Sequence, residues 1–505
     1  MLTRSLETER KYDLAADTEV PDLVGGRVAA SSRPTTSELR ATYYDTEGFA
    51  LAAAGVTLRR RTGGQDDGWH VKLSHDIDSR REIGHPLGRG TQVPAVLARM
   101  LTTVTLGAPL VHVVELHTVR VARTLTDADG APLAELADDT VSAQRFEPTG
   151  LTQVWRELEV ELCGTDTHLL GELDQRLSDA GVSRSNSASK LRRALDDAVA
   201  MPAEQPEHPT GLPRKSAGAL LHRYLADQRD ALAAADLAVR VDDAPVHDVR
   251  VAARRLRAAL TVYRPLLDEA LARHLQAELK WLGQELSAVR DLEVVGRLLI
   301  EALENDEADP QEVATREFVR KRLGSAGRPA TASAQAAMKS QRYVALLADL
   351  NAFLGATPWT PLAEQRGDKV MPSAVGKSLR HLRKSVDAVP GPGSADRSDG
   401  LHEVRKAAKR LRYALEAAEP AVGGSARRLG KKTKQMQTTL GDYLDAQHVR
   451  DWIRRIGHER GAGAAAFALG GLHAEHARRV PAMERHNDRT VRKLLKSGDT
   501  KAFKG

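Results

Sequence analysis

The sequence predicts two domains of different architecture: an antiparallel β-barrel tunnel (α+β) in front, and an all-α bundle of two pseudo-symmetric repeats behind. Three observations carry this. Residues 1 to about 200 alternate apolar and polar side chains with period two, the mark of half-buried strands. From Ala217 onward the pattern turns helical and rich in Ala, Leu, Arg and Glu. Between them, Met201 to Pro213 places four prolines in a short polar run, which reads as a linker. The divisions expected are 1–200, a linker over 201–215, and 216–500.

In the front domain, strands are expected at Leu6–Leu14, Arg40–Asp45, Thr57–Thr62, Trp69–Leu73, Val111–Thr124 and Val154–Leu162. Helical patterns occur near Pro94–Leu101 and from Thr167 to Ala180. In the back domain the helices should break at Gly324–Ser333 and at Pro390–Gly400, the second break separating the repeats.

The repeat is legible residue by residue. His247-Asp-Val-Arg250-Val-Ala-Ala-Arg254-Arg255-Leu256-Arg257 returns as His402-Glu-Val-Arg405-Lys406-Ala-Ala-Lys409-Arg410-Leu411-Arg412, at a constant offset of 155. At about 100° per residue, His247, Arg250, Arg254 and Arg257 share one helix face, as do His402, Arg405, Lys409 and Arg412. Val249, Ala253, Leu256 and Leu260 form an apolar stripe beside the cations. Further on, Asp291 answers to Asp445 and Lys280 to Lys434 at an offset of 154. A single charged helix face is most simply a solvated one. The same stripe built twice reads as an anion-binding surface.

Bulk composition bounds the function. At 505 residues, with 41 % hydrophobic and 28 % charged residues, the chain is long enough for two or more cores. Aromatics are only 4 %, which weighs against the stacking platforms of single-strand nucleic-acid binders. No recognition-helix motif accompanies the basic helices, so DNA is a poor candidate partner. The lone Cys163 excludes an internal disulfide and fits a reducing compartment. No leader pattern and no run of ~18 apolar residues is found, so no membrane partner and a cytoplasmic location are expected. The formal charge of +6 conceals an asymmetry. Residues 1–210 hold 23 Lys and Arg against 32 Asp and Glu, a balance of −9; residues 211–505 hold 51 against 36, a balance of +15. A basic back domain seeks a polyanion.

The front domain clusters like charges on strand faces. Glu7, Glu9 and Lys11 alternate along one strand, and Glu157, Glu159 and Glu161 along another. Arg59 and Arg61 share a face, and Lys72, Arg120 and Arg123 add cations within β segments. Alternation of this kind usually marks an ordinary polar outside. Yet like charges ~4 Å apart at an effective dielectric of ~20 repel by about 4 kcal/mol. The acidic cluster therefore asks for a hard cation such as Mg²⁺ or Mn²⁺, and the basic cluster for an anion such as phosphate. A metal-bound polyphosphate satisfies both, and a closed barrel with a polar interior supplies the container.

Glu7-x-Glu9-x-Lys11 resembles the signature of the CYTH family, the triphosphate tunnel metalloenzymes. The likeness continues in order through Thr42-Tyr43-Tyr44-Asp45-Thr46, Leu58-Arg59-Arg60-Arg61-Thr62-Gly63-Gly64, Gly68 to Leu73, Arg81-Glu82, Arg156 to Glu161 and Ser189-Lys190. The helical half resembles a CHAD domain on the strength of its two His-led basic helices. What the resemblance implies is an eight-stranded tunnel that hydrolyses tripolyphosphate or a related triphosphate with Mg²⁺ or Mn²⁺. Glu7, Glu9, Glu157 and Glu159 would hold metal, and Glu161 would join them or the wall. Asp139 matches a further acidic position for which Asp138 competes. Lys11, Arg59, Arg61, Lys72, Arg120 and Lys190 would grip phosphate, with Arg123 an alternative to Arg120. No general base is singled out. The CHAD likeness implies inorganic polyphosphate as partner, held by His247, Arg250, Arg254, Arg257, Lys280, His402, Arg405, Lys409, Arg412 and Lys434, and an association with polyphosphate granules. Thiamine triphosphate hydrolysis, ATP cyclisation, or a non-catalytic polyphosphate-binding role are the alternatives.

Overall fold

The computed structural model describes residues 2–503 apart from 65, 75–77, 147–151, 188, 196–210, 243, 304–309, 357–358, 392–393, 395, 460 and 464. The chain divides into two compact units, Met1–Gln205 and Pro206–Gly505. Most of the proline-rich run, 201–210, lies outside the described residues.

The first unit contains β1 (Thr3–Leu14), β2 (Ala30–Ser31), β3 (Thr35–Asp45), β4 (Val56–Thr62), β5 (Gly68–Ser74), β6 (Ser79–His85), β7 (Val111–Thr126), β8 (Pro132–Arg145), β9 (Thr152–Leu162) and β10 (Ser183–Arg184). Eight of these pair antiparallel in the order β1-β6-β5-β4-β3-β7-β8-β9, and β9 pairs back onto β1, closing a barrel. The two-residue strands β2 and β10 add to β7 and β1.

Register decides what faces inward. Across the closing pair, Glu9 stands opposite Glu161, Lys11 opposite Glu159 and Asp13 opposite Glu157. The alternate residues Tyr12, Leu14, Leu158 and Val160 therefore face out, where they pack under Leu169, Leu170, Leu173 and Leu177 of the helix Thr167–Asp179. The barrel is thus polar within and apolar without, its outer face covered by a helix. A second cluster seats Leu191, Ala194 and Leu195 against Leu116, Val141 and Ala143, fixing the helix Lys190–Leu195 whose first residue is Lys190. In the β4–β5 turn Gly63 has φ +84°, and a Cβ there would lie 2.2 Å from the Glu38 carbonyl oxygen, so only glycine fits.

The second unit is helical. Its first basic helix, His247–Val262, is followed by Glu269–Glu285 and Ser287–Ala302. The second basic helix, Arg397–Val422, is followed by the single long helix Gly424–Gly457. The expected apolar stripes are buried in both copies: Val249, Ala253, Leu256 and Leu260 in one, Val404, Ala408, Leu411 and Leu415 in the other. Tyr263 Oη donates to the Ala414 carbonyl at 2.6 Å, tying the first helix to the second. One expectation is corrected: no break falls at 324–333, because the helix Pro310–Lys339 runs through it with Pro329 inside. Pro329 is exposed, so the carbonyl it leaves unpaired one turn back is open to hydration. Before the second repeat one helix ends at Asp387 and the next begins at Arg397, so a break falls there as expected but the helix resumes before Gly400. No helix among the described residues is long and apolar enough to cross a membrane.

Candidate functional site

The barrel encloses a cavity of about 210 Å³ whose wall carries both signs of charge. Strand β1 contributes Glu7, Glu9 and Lys11, β4 contributes Arg59 and Arg61, and β5 contributes Lys72. Arg120 of β7, Asp139 of β8, Glu159 and Glu161 of β9, and Lys190 complete the residues expected there. Glu157 is the exception. It is 2 % exposed and lies behind the wall, where one carboxylate oxygen accepts from the Trp155 indole N–H at 2.6 Å. Asp139 lines the cavity, whereas Asp138 is drawn off by Arg156 at 2.8 Å.

The expected mutual repulsion within each cluster does not survive folding, because closure interleaves the two signs. Glu159 accepts from Lys11, from Arg120 at 2.6 Å and from Lys190 at 2.7 Å. Asp139 takes a bidentate pair from Arg120 at 2.8 and 2.7 Å, and Lys190 at 2.8 Å. Glu9 lies 3.1 Å from Lys11 and 3.2 Å from Arg80, and Glu7 pairs with Lys72. Burial opposes the ionised form of Glu159, but Lys11, Lys190 and Arg120 outweigh it and hold the carboxylate well below its usual range. Burial likewise opposes the Lys190 ammonium, yet Glu159, Asp139 and Glu157 hold its pKa well above the ordinary value. Glu161 is less well compensated: burial and the nearby Glu7 outweigh Lys72 and push its carboxyl up to about 7.

Four residues outside the expected set belong to this network; one is Asp66, which lines the cavity and pairs with Arg61. Arg80 and Glu135 line the cavity. Glu82 sits just behind, with His70 Nδ1 at 2.8 Å, Lys72 Nζ at 3.2 Å and Arg59 at 3.8 Å. The signal for Arg80 and Glu82 is the alternation Arg80-Arg81-Glu82, which puts residues 80 and 82 on one face of a strand too charged to read as one.

A divalent ion fits the donor chemistry. Asp139, Glu157 and Glu159 present carboxylate oxygens within 4.8 Å of one another, all on buried residues. Such oxygen donors suit Mg²⁺ or Mn²⁺. A second group, Asp66, His70 and Glu82, meets the same distance criterion, but Lys72 and Arg59 already compensate its Glu82.

In the helical unit a cleft of about 480 Å³ runs between the basic helices. Arg250, Arg254, Arg257, His402, Arg405 and Lys409 line it, as do His381, Arg410 and His448, which the repeat alone did not single out. Asp291 and Asp445, the matched acids of the two copies, are also in the wall. Lys280 lines an adjoining cavity, while His247, Arg412 and Lys434 line neither. Arg412 turns instead to Glu416 at 2.8 Å. Burial, reinforced by Arg254, Arg405 and Arg250, pushes the Lys409 ammonium down to about 6.

Comparison with protein-family models matches a CYTH domain over residues 5–195 and a CHAD domain over residues 223–454. Two uncharacterized Mycobacterium tuberculosis proteins, Rv2226 and MT2285, are each 34 % identical over 520 residues, spanning 98 % of this chain and 97 % of theirs. Among solved structures, PptA from Streptomyces chartreusis is 23 % identical with a TM-score of 0.46, covering 55 % of this chain and 100 % of that one. The CHAD domain from the plant Ricinus communis is 25 % identical with a TM-score of 0.44, covering 58 % and 96 %. HpAC1 from Hippeastrum, described by a dominant triphosphatase activity, is 16 % identical with a TM-score of 0.25, covering 38 % and 96 %.

Proposed function

The chain belongs to the family that joins a CYTH domain to a CHAD domain, and from that premise we propose that its barrel is a metal-dependent inorganic triphosphatase and its helical unit an inorganic polyphosphate-binding module. The observation that carries the reading is the interleaving of buried carboxylates with Lys and Arg around one enclosed cavity. Neither a purely anionic nor a purely cationic ligand would use both halves of that wall.

Lys11, Arg59, Arg61, Lys72, Arg80, Arg120 and Lys190 are the groups to grip the phosphate oxygens, their guanidinium forks matching them geometrically. Asp139, Glu157 and Glu159, with Glu7, Glu9 and Glu161 farther along the same strand pair, are the groups to hold Mg²⁺ or Mn²⁺. When bound, the ion supplies charge neutralisation and a more acidic water. Carboxylates engaged in holding the ion would leave their ammonium and guanidinium partners free for phosphate, so one set of ion pairs would be exchanged for another. Fixed cations around the transferred phosphoryl then stabilise charge without reorganising.

Tyr43 is the one aromatic side chain lining the cavity among the described residues. That favours inorganic triphosphate over ATP or thiamine triphosphate, whose rings would find only Tyr43 to stack on. The test is phosphate release from all three substrates with Mg²⁺ or Mn²⁺. Release from tripolyphosphate should dominate, and no release from any of them would reduce the reading to polyphosphate binding alone. That second reading, a non-catalytic granule-targeting protein, is favoured by one observation of its own: the cationic cleft of the helical unit.

A further inference from the structure

The two halves of the helical unit are related by the offset of 155, yet they differ at several positions beside the cleft, and one of these bears on where a ligand can pass. Thr261 in the first basic helix corresponds to Glu416 in the second. In the second copy Glu416 closes its surroundings. It accepts from Arg412 at 2.8 Å and lies 3.2 Å from Arg255, while Tyr224 Oη donates to it at 3.3 Å. Arg412 and Arg255 are thereby neutralised and half-buried. Their counterparts by the same offset are Arg257 and Arg410, and these have a different fate. Both keep exposed surface, neither has a carboxylate partner among the described residues, and they lie close enough to repel: partial burial and the charges of Arg410 and Arg254 push the Arg257 guanidinium down.

Thr261 lies between these two arginines, and all three line both the central cleft and a second cavity of about 380 Å³. That second cavity leads on to Arg273 and Lys280 of the helix Glu269–Glu285. Arg273 carries its own partner, Glu269 at 2.6 Å, so Lys280 is the stronger attractor there. The simplest alternative is that Arg257 and Arg410 are merely solvated. Against it stand the shared walls: the two cavities adjoin at these two cations, and at the corresponding place in the other copy a carboxylate pairs both arginines.

We propose that a linear phosphate polymer leaves the central cleft in one direction only, past Arg257 and Arg410 toward Lys280 and Arg273, because Thr261 leaves open what Glu416 closes. The proposal rests on the polyphosphate reading of the helical unit and adds a direction to it. It makes the two repeats unequal: one is the anchor, the other the exit.

The experiment measures binding of long-chain polyphosphate, and of a short chain that fills only the central cleft, to the full-length protein in EDTA. The variant with Arg250, Arg254, Arg405 and Lys409 all changed to Ala is the baseline for contributions from the barrel. Thr261→Glu recreates the Arg412–Glu416 spacing with Arg257, a pair the fold already tolerates in its other half. It should weaken long-chain binding about tenfold at low salt and flatten its salt dependence, with a clearly smaller loss for the short chain, whose cleft Thr261 also lines. Arg273→Ala combined with Lys280→Ala, both on exposed residues, should also weaken the long chain selectively. Equal weakening of both probes, or unchanged long-chain binding in either variant, overturns the exit path. Failure of the wild-type protein to bind either probe above baseline would instead sink the polyphosphate reading itself.

Discussion

Lys190 Nζ lies 2.7 Å from a carboxylate oxygen of Glu159, an ammonium delivered by the first residue of a helix onto the middle of a strand. Neither group is stable alone in so buried a place; each is there because of the other. Removing the acid should therefore be felt twice. Glu159→Gln is expected to abolish triphosphate hydrolysis and to destabilise the barrel by about 3 kcal/mol, as breaking one side of a buried ion pair does. Chemical denaturation beside a phosphate-release assay checks both. Full activity in that variant would remove Glu159 from the site.

Glu9→Gln separates the two units. Turnover should fall by about a hundredfold or more, since a metal-side carboxylate is lost, while retention of polyphosphate by the helical unit is unchanged. Pull-down on immobilised polymer, run with the phosphate assay, gives the comparison.

Chelation by EDTA should stop hydrolysis, and Mg²⁺ or Mn²⁺ should restore it. The thermal midpoint should move little on chelation, because the cavity's acids keep their lysine and arginine partners without metal. A collapse of the barrel's thermal transition in EDTA would show that the ion is structural.

The converse of Glu9→Gln is the replacement of Arg250, Arg254, Arg405 and Lys409 by Ala. Polymer affinity should drop by at least about a hundredfold at low salt and lose most of its salt dependence, with triphosphate turnover intact. Titration at two ionic strengths reads this directly.

Lys409 gives the pH dependence. Its folded pKa of about 6 lies below the ordinary lysine value, so between the two the unfolded chain holds the proton that the folded protein lacks. Stability then rises with pH through that window, and the penalty for charging Lys409 is felt in full below about 6. Lys409→Met should flatten this slope. A bound polyanion restores the charge, so binding at pH 8 should take up a proton, measured by calorimetry in buffers of different ionisation heat. Arg254, Arg405, Arg250 and Asp445 face Lys409, and His381 and His402 share the cleft. At that pH the substitution tests whether the uptake belongs to the lysine.

Much of this was legible in the letters. Strands such as β7 and β9 announce themselves because their outer faces carry Val and Leu that must be covered. β6 and β8 were unreadable because Arg, Glu, Ala and Asp are poor strand formers, and pairing with neighbours holds them there. Many of the cavity's charged residues could be picked from alternation and Asp139 and Lys190 from the family resemblance, but not Asp66, Glu135 or Arg80, whose face is known only once β6 is known. Nor could Glu157's place behind the wall be read, since it shares Glu159's parity and differs only in what packs against it. The ion pairs needed register: nothing in the letters says that closing β1 onto β9 sets Lys11 beside Glu159.

The return of the last strand to the first has one more consequence. A cylinder without a slit cannot be loaded from the side, so a guest must enter lengthwise through an end. A polymer longer than the bore offers only its tip for cutting, and a phosphate ring, which has no tip, should be turned away at the mouth.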